Sequence, residues 1–229
     1  MRKKIWVFGA PFSGKTTFAC GAPNHYVLST DGNAEYLTNS YKLLTDEVEK
    51  QGRMIKRTLA WEVFKSEIEK LESKTGNYQT IILDLVEDTY EMCRLYMYQK
   101  LGITHESDDS FKAWDKVRTE YLSTMRRFLN MDYDIVLISH EDTSKDITKK
   151  SGENITAIKP NITDKIALKL AGMVALVGRA MCDEGEYQFH IKTDEVTFGG
   201  GRLGVNNIVI PLRWDEVAKL FDNNKKESK

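Results

Sequence analysis

Cysteine is scarce in this chain of 229 residues: there are three, Cys20, Cys93 and Cys182. They are odd in number and too far apart for a C-x-x-C metal or redox pair, which excludes a disulfide framework and leads to the expectation of a reducing, cytoplasmic compartment. Proline is rarer than average at four residues, with 15 glycines, so collagen and Pro-rich low-complexity chains are excluded. Neither sign of charge prevails, because 33 Lys and Arg face 34 Asp and Glu for a net charge of −1. Without a global positive field, any contact with an anionic polymer has to come from a local patch. Long hydrophobic runs are missing too, and no uncharged apolar stretch approaches the roughly 18 residues that span a bilayer. The basic-then-apolar start stops at a Gly-Ala-Pro turn and a lysine, so neither a cleavable signal nor a membrane partner is expected.

What is present is the composition of a soluble globule, 41% hydrophobic and 29% charged. At roughly 150 residues per domain, the length and the absence of a linker point to a single domain, taken here as 1–222, with a charged tail at 223–229 expected to be disordered. Short apolar runs rich in β-branched and aromatic residues, Ile5 to Phe8, Tyr26 to Ser29, Thr80 to Leu83 and Ile135 to Ser139, read as buried parallel strands. Helical stretches separate them: one places Trp61, Phe64, Ile68 and Leu71 on one face, one follows Glu87, and one runs from about Phe111 to Asn130. The alternation predicts an α/β fold, a mainly parallel twisted sheet flanked by helices. Residues 141–159 are polar and read as a long exposed loop or loose hairpin. A helix from Thr163, an antiparallel C-terminal hairpin turning at Asp183-Glu184-Gly185, a glycine-rich turn at 199–204 and a last amphipathic helix complete the chain. Trp61, Trp114 and Trp214 fall on apolar helical faces and read as core.

One motif carries chemistry. Gly9-Ala10-Pro11-Phe12-Ser13-Gly14-Lys15-Thr16 matches G-x-x-x-x-G-K-[ST], the P-loop, between an expected strand and an expected helix. In such a loop the glycines let successive backbone N–H groups face the phosphates of ATP, and the following helix adds its dipole. Gly9, Pro11, Phe12, Ser13, Gly14, Lys15, Thr16 and Thr17 are therefore the nucleotide-binding candidates, with Lys15 as the charge on the β and γ phosphates and the Thr16 hydroxyl as a Mg²⁺ ligand. A P-loop also needs an acid at the end of an apolar strand to hold the metal's water. Asp84, closing Ile81-Ile82-Leu83-Asp84, takes that place, its alternative being a helix cap. Because Leu85 follows it, the glutamate that would polarise water in an Asp-Glu pair is missing, and the base has to come from elsewhere.

Here the chain resembles RecA-like recombinases. Val27-Leu28-Ser29-Thr30-Asp31-Gly32 is similar to the end of their second strand, which makes Asp31 the implied base, with Glu87 and Glu141 as fallbacks. Val136-Leu137-Ile138-Ser139-His140 is similar to the strand ending in a γ-phosphate sensor, a part that falls to His140. The polar stretch 141–159 lies where these proteins carry a mobile DNA-binding loop, which implies Lys145, Lys149, Lys150 and Lys159 as phosphate contacts. Lys192 and Arg202 stand as candidate cations for a neighbouring subunit's site. The whole pattern is similar to phage-type single-domain RecA-like P-loop ATPases of the annealing-recombinase group. The resemblance implies ATP and Mg²⁺ as cofactors and single-stranded DNA as partner, with a homo-oligomer or a single-stranded-DNA-binding protein as further partners, in the host cytoplasm if the chain is phage-encoded. Two other classes stay open, a nucleotide-binding scaffold with little turnover and a small-molecule P-loop kinase. Against the kinase stands the lack of an arginine-dense lid.

Overall fold

Strands that are apolar on both faces need cover on both faces, and the chain supplies it from two sets of helices. The protein is described by a computed structural model covering residues 2–109, 112–144, 146–148, 152, 154–192, 196–205 and 207–227. In chain order the first half runs β1 (Lys4–Gly9), α1 (Lys15–Cys20), β2 (His25–Ser29), β3 (Tyr41–Leu43), β4 (Glu47–Gln51), β5 (Met54–Thr58), α2 (Ala60–Glu72), β6 (Thr80–Asp84) and α3 (Val86–Leu101). The second half runs α4 (Lys112–Leu129), β7 (Asp134–Asp142), β8 (Asp146–Thr148), β9 (Asn154–Thr156), β10 (Lys159–Pro160), α5 (Asp164–Ala171), β11 (Leu176–Asp183), β12 (Glu186–Ile191), β13 (Gly200–Gly201), β14 (Ile208–Pro211) and α6 (Trp214–Glu227).

The main sheet has the order β14-β12-β11-β1-β7-β6-β2-β3. From β11 to β3 every neighbouring pair is parallel, and β12 and β14 add an antiparallel edge. Side chains of β1 alternate between two cores, as a two-residue repeat requires. Trp6 and Phe8 join Trp61, Phe64, Tyr121 and Phe128 under α2 to α5, whereas Ile5 and Val7 join Phe18, Phe189, Val217 and Phe221 under α1 and α6. A crossover places β7 between β1 and β6, with Gly9 opposite His140 and Leu83 opposite Leu137. This arrangement puts the carboxyl ends of three strands side by side, and the site forms there.

Among the described residues of 141–159, β7 runs on to Asp142, β8 and β9 pair antiparallel, and β10 returns antiparallel to the end of β7. α6 continues to Glu227, so helix covers residues assigned to the tail from sequence. No helix among the described residues is long and apolar enough to cross a membrane.

Candidate functional site

The loop after β1 is shaped by two glycines. A Cβ on Gly9 would lie 2.3 Å from the Ala180 carbonyl oxygen of β11, and Gly14 has φ +82°, with Tyr187 Cδ1 2.7 Å from where its Cβ would stand. A side chain at either position would push the loop away from the strand ends. At the tip, Phe12 has φ +64° and is 97% exposed. Lys15 is buried, and its Nζ donates to the Gly9 carbonyl at 3.0 Å, the Ala10 carbonyl at 2.7 Å and Ser13 Oγ at 3.4 Å. Burial lowers its pKa, while Asp84, Glu87 and Glu141 pull it back up. α1 has only six residues. The dipole expected from sequence is therefore that of a short helix, and Lys15 is the principal positive charge.

Asp84, at the end of β6, is 2% exposed, and its Oδ2 accepts a hydrogen bond from Thr16 Oγ1 at 2.7 Å. Burial pushes its pKa up to about 6; the Thr16 bond lowers it and the nearby Asp31 raises it. The two residues named from sequence as metal candidates thus meet across the P-loop. Both offer hard oxygens, the donor type Mg²⁺ takes, and Mg²⁺ sites of this kind use one or two protein groups with the substrate's phosphates. Among the described residues no group of three or more His, Cys, Asp or Glu forms a metal cage.

A family model described as an AAA domain matches residues 1–203. The chain belongs to that family. An AAA domain is a nucleotide-binding P-loop ATPase-like domain, which agrees with the sheet and loop just described. No curated protein matches the chain.

In this AAA domain, β7 delivers His140 next to the P-loop. Glu87 Oε1 accepts from both the His140 backbone N–H at 2.7 Å and the ring at Nδ1, 3.0 Å away. The bond to Glu87 raises the His140 pKa, with burial opposing it. Glu87 Oε2 is buried and has no hydrogen-bond partner among the described residues. Asp31 is placed differently. Its side chain is exposed and engaged locally, accepting from Ser29 Oγ at 3.2 Å, the Asn33 N–H at 3.0 Å and Asn33 Nδ2 at 2.6 Å. Glu141 is held by Arg179 through two bonds, at 2.7 and 3.0 Å.

The basic candidates divide. Lys145, Lys149 and Lys150 lie outside the described residues. Lys159 is buried and pairs with Asp164, with Asp142 4.0 Å away, so its ammonium is spent inside the fold rather than offered to a polyanion. Arg202 donates to the Gly172 carbonyl of its own chain. Lys192 is exposed just after β12. Trp61 is fully buried, as read from its helical face, but Trp114 is 41% exposed and Trp214 is only partly buried beside the P-loop. Glu87, a fallback base in the sequence, is the acid that the fold sets against His140. The available signal was its place three residues after Asp84, at the start of a helix.

Proposed function

We propose that this AAA domain is a Mg²⁺-dependent ATPase acting on single-stranded DNA, in phage-type recombination, annealing or replication. The observation that carries the ATPase reading is the bond from Thr16 to the buried Asp84 beside Lys15, with the unpartnered Glu87 oxygen on the same side. Lys15 leaves the loop carbonyls for the phosphate oxygens when nucleotide enters. Thr16 and Asp84 would hold Mg²⁺, which when bound supplies positive charge against the β and γ phosphates. Glu87 takes the base role that the resemblance gives to Asp31, since its Oε2 has no competing donor, while Asp31 already accepts three hydrogen bonds. His140 holds Glu87 Oε1 through Nδ1, which leaves its other ring nitrogen to meet the γ phosphate. Glu87→Gln is expected to lower kcat by about 10²- to 10⁴-fold with ATP affinity near the parent's, and Asp31→Asn to change kcat little. Single-turnover hydrolysis by both variants checks this; the reverse ranking would return the role to Asp31.

The DNA reading rests on local charge. Without the Lys159–Asp164 pair, residues 145–169 still hold five lysines against Asp146 and Glu153. Nearby, a 950 Å³ cleft is lined by Lys112, Trp114, Lys116 and Lys165, with Arg118, paired to Asp115, and Asp164 also on its wall, so that three lysines stand beside a ring available for stacking. If three lysines each neutralise one phosphate, log affinity should fall against log salt with a slope of about −2. Replacing Lys145, Lys149 and Lys150 by alanine should flatten that slope and remove stimulation of hydrolysis by single-stranded DNA. Equal slopes would overturn the loop assignment. Slow turnover with no DNA binding at low salt would favour the scaffold.

A further inference from the structure

A second cleft, 790 Å³ in volume, opens on the other side of the P-loop. The sheet order makes the division clear: β7 and β6 lie on one side of β1 and carry His140 and Asp84, whereas β12 and β14 lie on the opposite side, beyond β11. The cleft is lined by Phe12, Gly14 and Thr17 from the loop and α1, by Tyr187 from β12, by Leu212 just after β14, and by Trp214 at the start of α6. Its size falls within the roughly 300–1,000 Å³ of small-molecule sites, and its walls follow their pattern of mostly apolar lining with a few polar groups. Tyr187 is 49% exposed while its ring crosses Gly14, and Trp214 leans on Phe18 with ring centroids 6.1 Å apart. Two of the polar groups sit where α6 begins, Arg213 donating to both oxygens of Asp215 at 3.1 and 2.9 Å, and Glu186 of β12 also lines the cleft.

Two requirements converge on one ligand. The acids and the lysine gather where the terminal phosphate belongs, so a bound phosphate chain has its other end at Gly14 and Thr17. At that end the protein presents two exposed aromatic side chains, Phe12 and Tyr187, with the partly buried Trp214 beside them. We propose that this cleft is the nucleoside subsite: the base lies against Tyr187 and Trp214, and the ribose over Gly14 and Thr17. The assignment rests on the phosphate site described under Proposed function. It makes the C-terminal edge, β12 to α6, part of nucleotide selection. It also explains why Tyr187 is held against the loop rather than turned into solvent.

Calorimetric titration of the full chain with Mg·ATP and with inorganic tripolyphosphate separates the two halves of the site. Tyr187→Ala is expected to weaken ATP binding about tenfold or more, the size of a lost base–aromatic stack, and to leave tripolyphosphate affinity unchanged. In Trp214→Phe, which keeps a ring against Phe18, the quenching of tryptophan fluorescence by ATP in the parent should be lost. Circular dichroism confirms that each variant is folded. Parent-like ATP affinity in folded Tyr187→Ala overturns the subsite. Equal loss of both ligands also overturns it, because the tyrosine would then only prop the P-loop through Gly14. If the parent binds neither ligand, the phosphate site itself fails, a different result from failure of the subsite alone.

Discussion

Lys15→Ala is expected to reduce ATP hydrolysis by at least about 10²-fold while the fold survives, because the variant loses the P-loop's own positive charge. The lysine is 6% exposed and rests on the Gly9 and Ala10 carbonyls and Ser13 Oγ. Those bonds tie the loop together when no nucleotide is bound, but burial of the ammonium works against them, as the lowered pKa shows. Removing the side chain therefore removes a cost along with a benefit, and the melting temperature should move by only a few degrees, the equivalent of about 1 kcal/mol in a chain of this size. In the transition state nothing offsets the loss, since charge develops on phosphate oxygens that Lys15 would have met. Steady-state phosphate release together with a thermal melt checks both halves. Full activity in a folded variant would dismiss the P-loop as the site of hydrolysis.

The P-loop was legible in the sequence because its requirements are local: glycines at fixed offsets, a lysine and a threonine, between a strand and a helix. The strands β1, β2, β6 and β7 were legible for a related reason, since runs buried on both faces need no alternation to reveal them. Asp84 stood out only in company with the P-loop, since an acid ending such a run serves equally well as a helix cap. Contacts between distant segments left no such mark. Glu87 meets His140 only because β7 crosses between β1 and β6, and no spacing along the chain encodes that meeting. Counting charges in 141–169 treated Lys159 as a surface cation, yet β10 pairs with β7 so that Lys159 stands opposite Asp142. The hairpin β4–β5 is mostly charged and polar, with Val48, Met54 and Ile55 exposed, so it lacks the apolar alternation by which strands are recognised. In α4 the buried stripe is Ala113, Val117, Tyr121, Thr124 and Phe128, which leaves Trp114 one step to the side. One residue of helical rotation separates a core ring from an exposed one.

Asp84→Asn should abolish most Mg²⁺-dependent hydrolysis and, at neutral and alkaline pH, make the protein more stable. The carboxyl is 2% exposed, and burial raises its pKa from 3.8 to about 6 despite the Thr16 hydrogen bond. A raised carboxyl pKa reverses the usual sign. Between about pH 4 and 6 the folded protein holds a proton that the unfolded chain releases, so this group's contribution falls as pH rises through that window. Above it, ionised Asp84 costs the fold about 3 kcal/mol, the free-energy equivalent of raising its pKa from 3.8 to about 6. Asparagine keeps an oxygen for Thr16 and carries no charge, so at pH 8 the variant should melt about 5–10 °C above the parent, with the gap closing near pH 4. Hydrolysis by the parent should decline as pH drops through about 6, when a proton takes the place the metal needs. Thermal melts of both proteins from pH 4 to 8, with phosphate release at pH 8, test the argument. Parallel melting curves would mean that Asp84 titrates as an ordinary carboxyl, and parent-like hydrolysis by the variant would remove it from the metal site. The stability given up at this one buried acid is what holds a negative charge ready beside Thr16 before any nucleotide arrives.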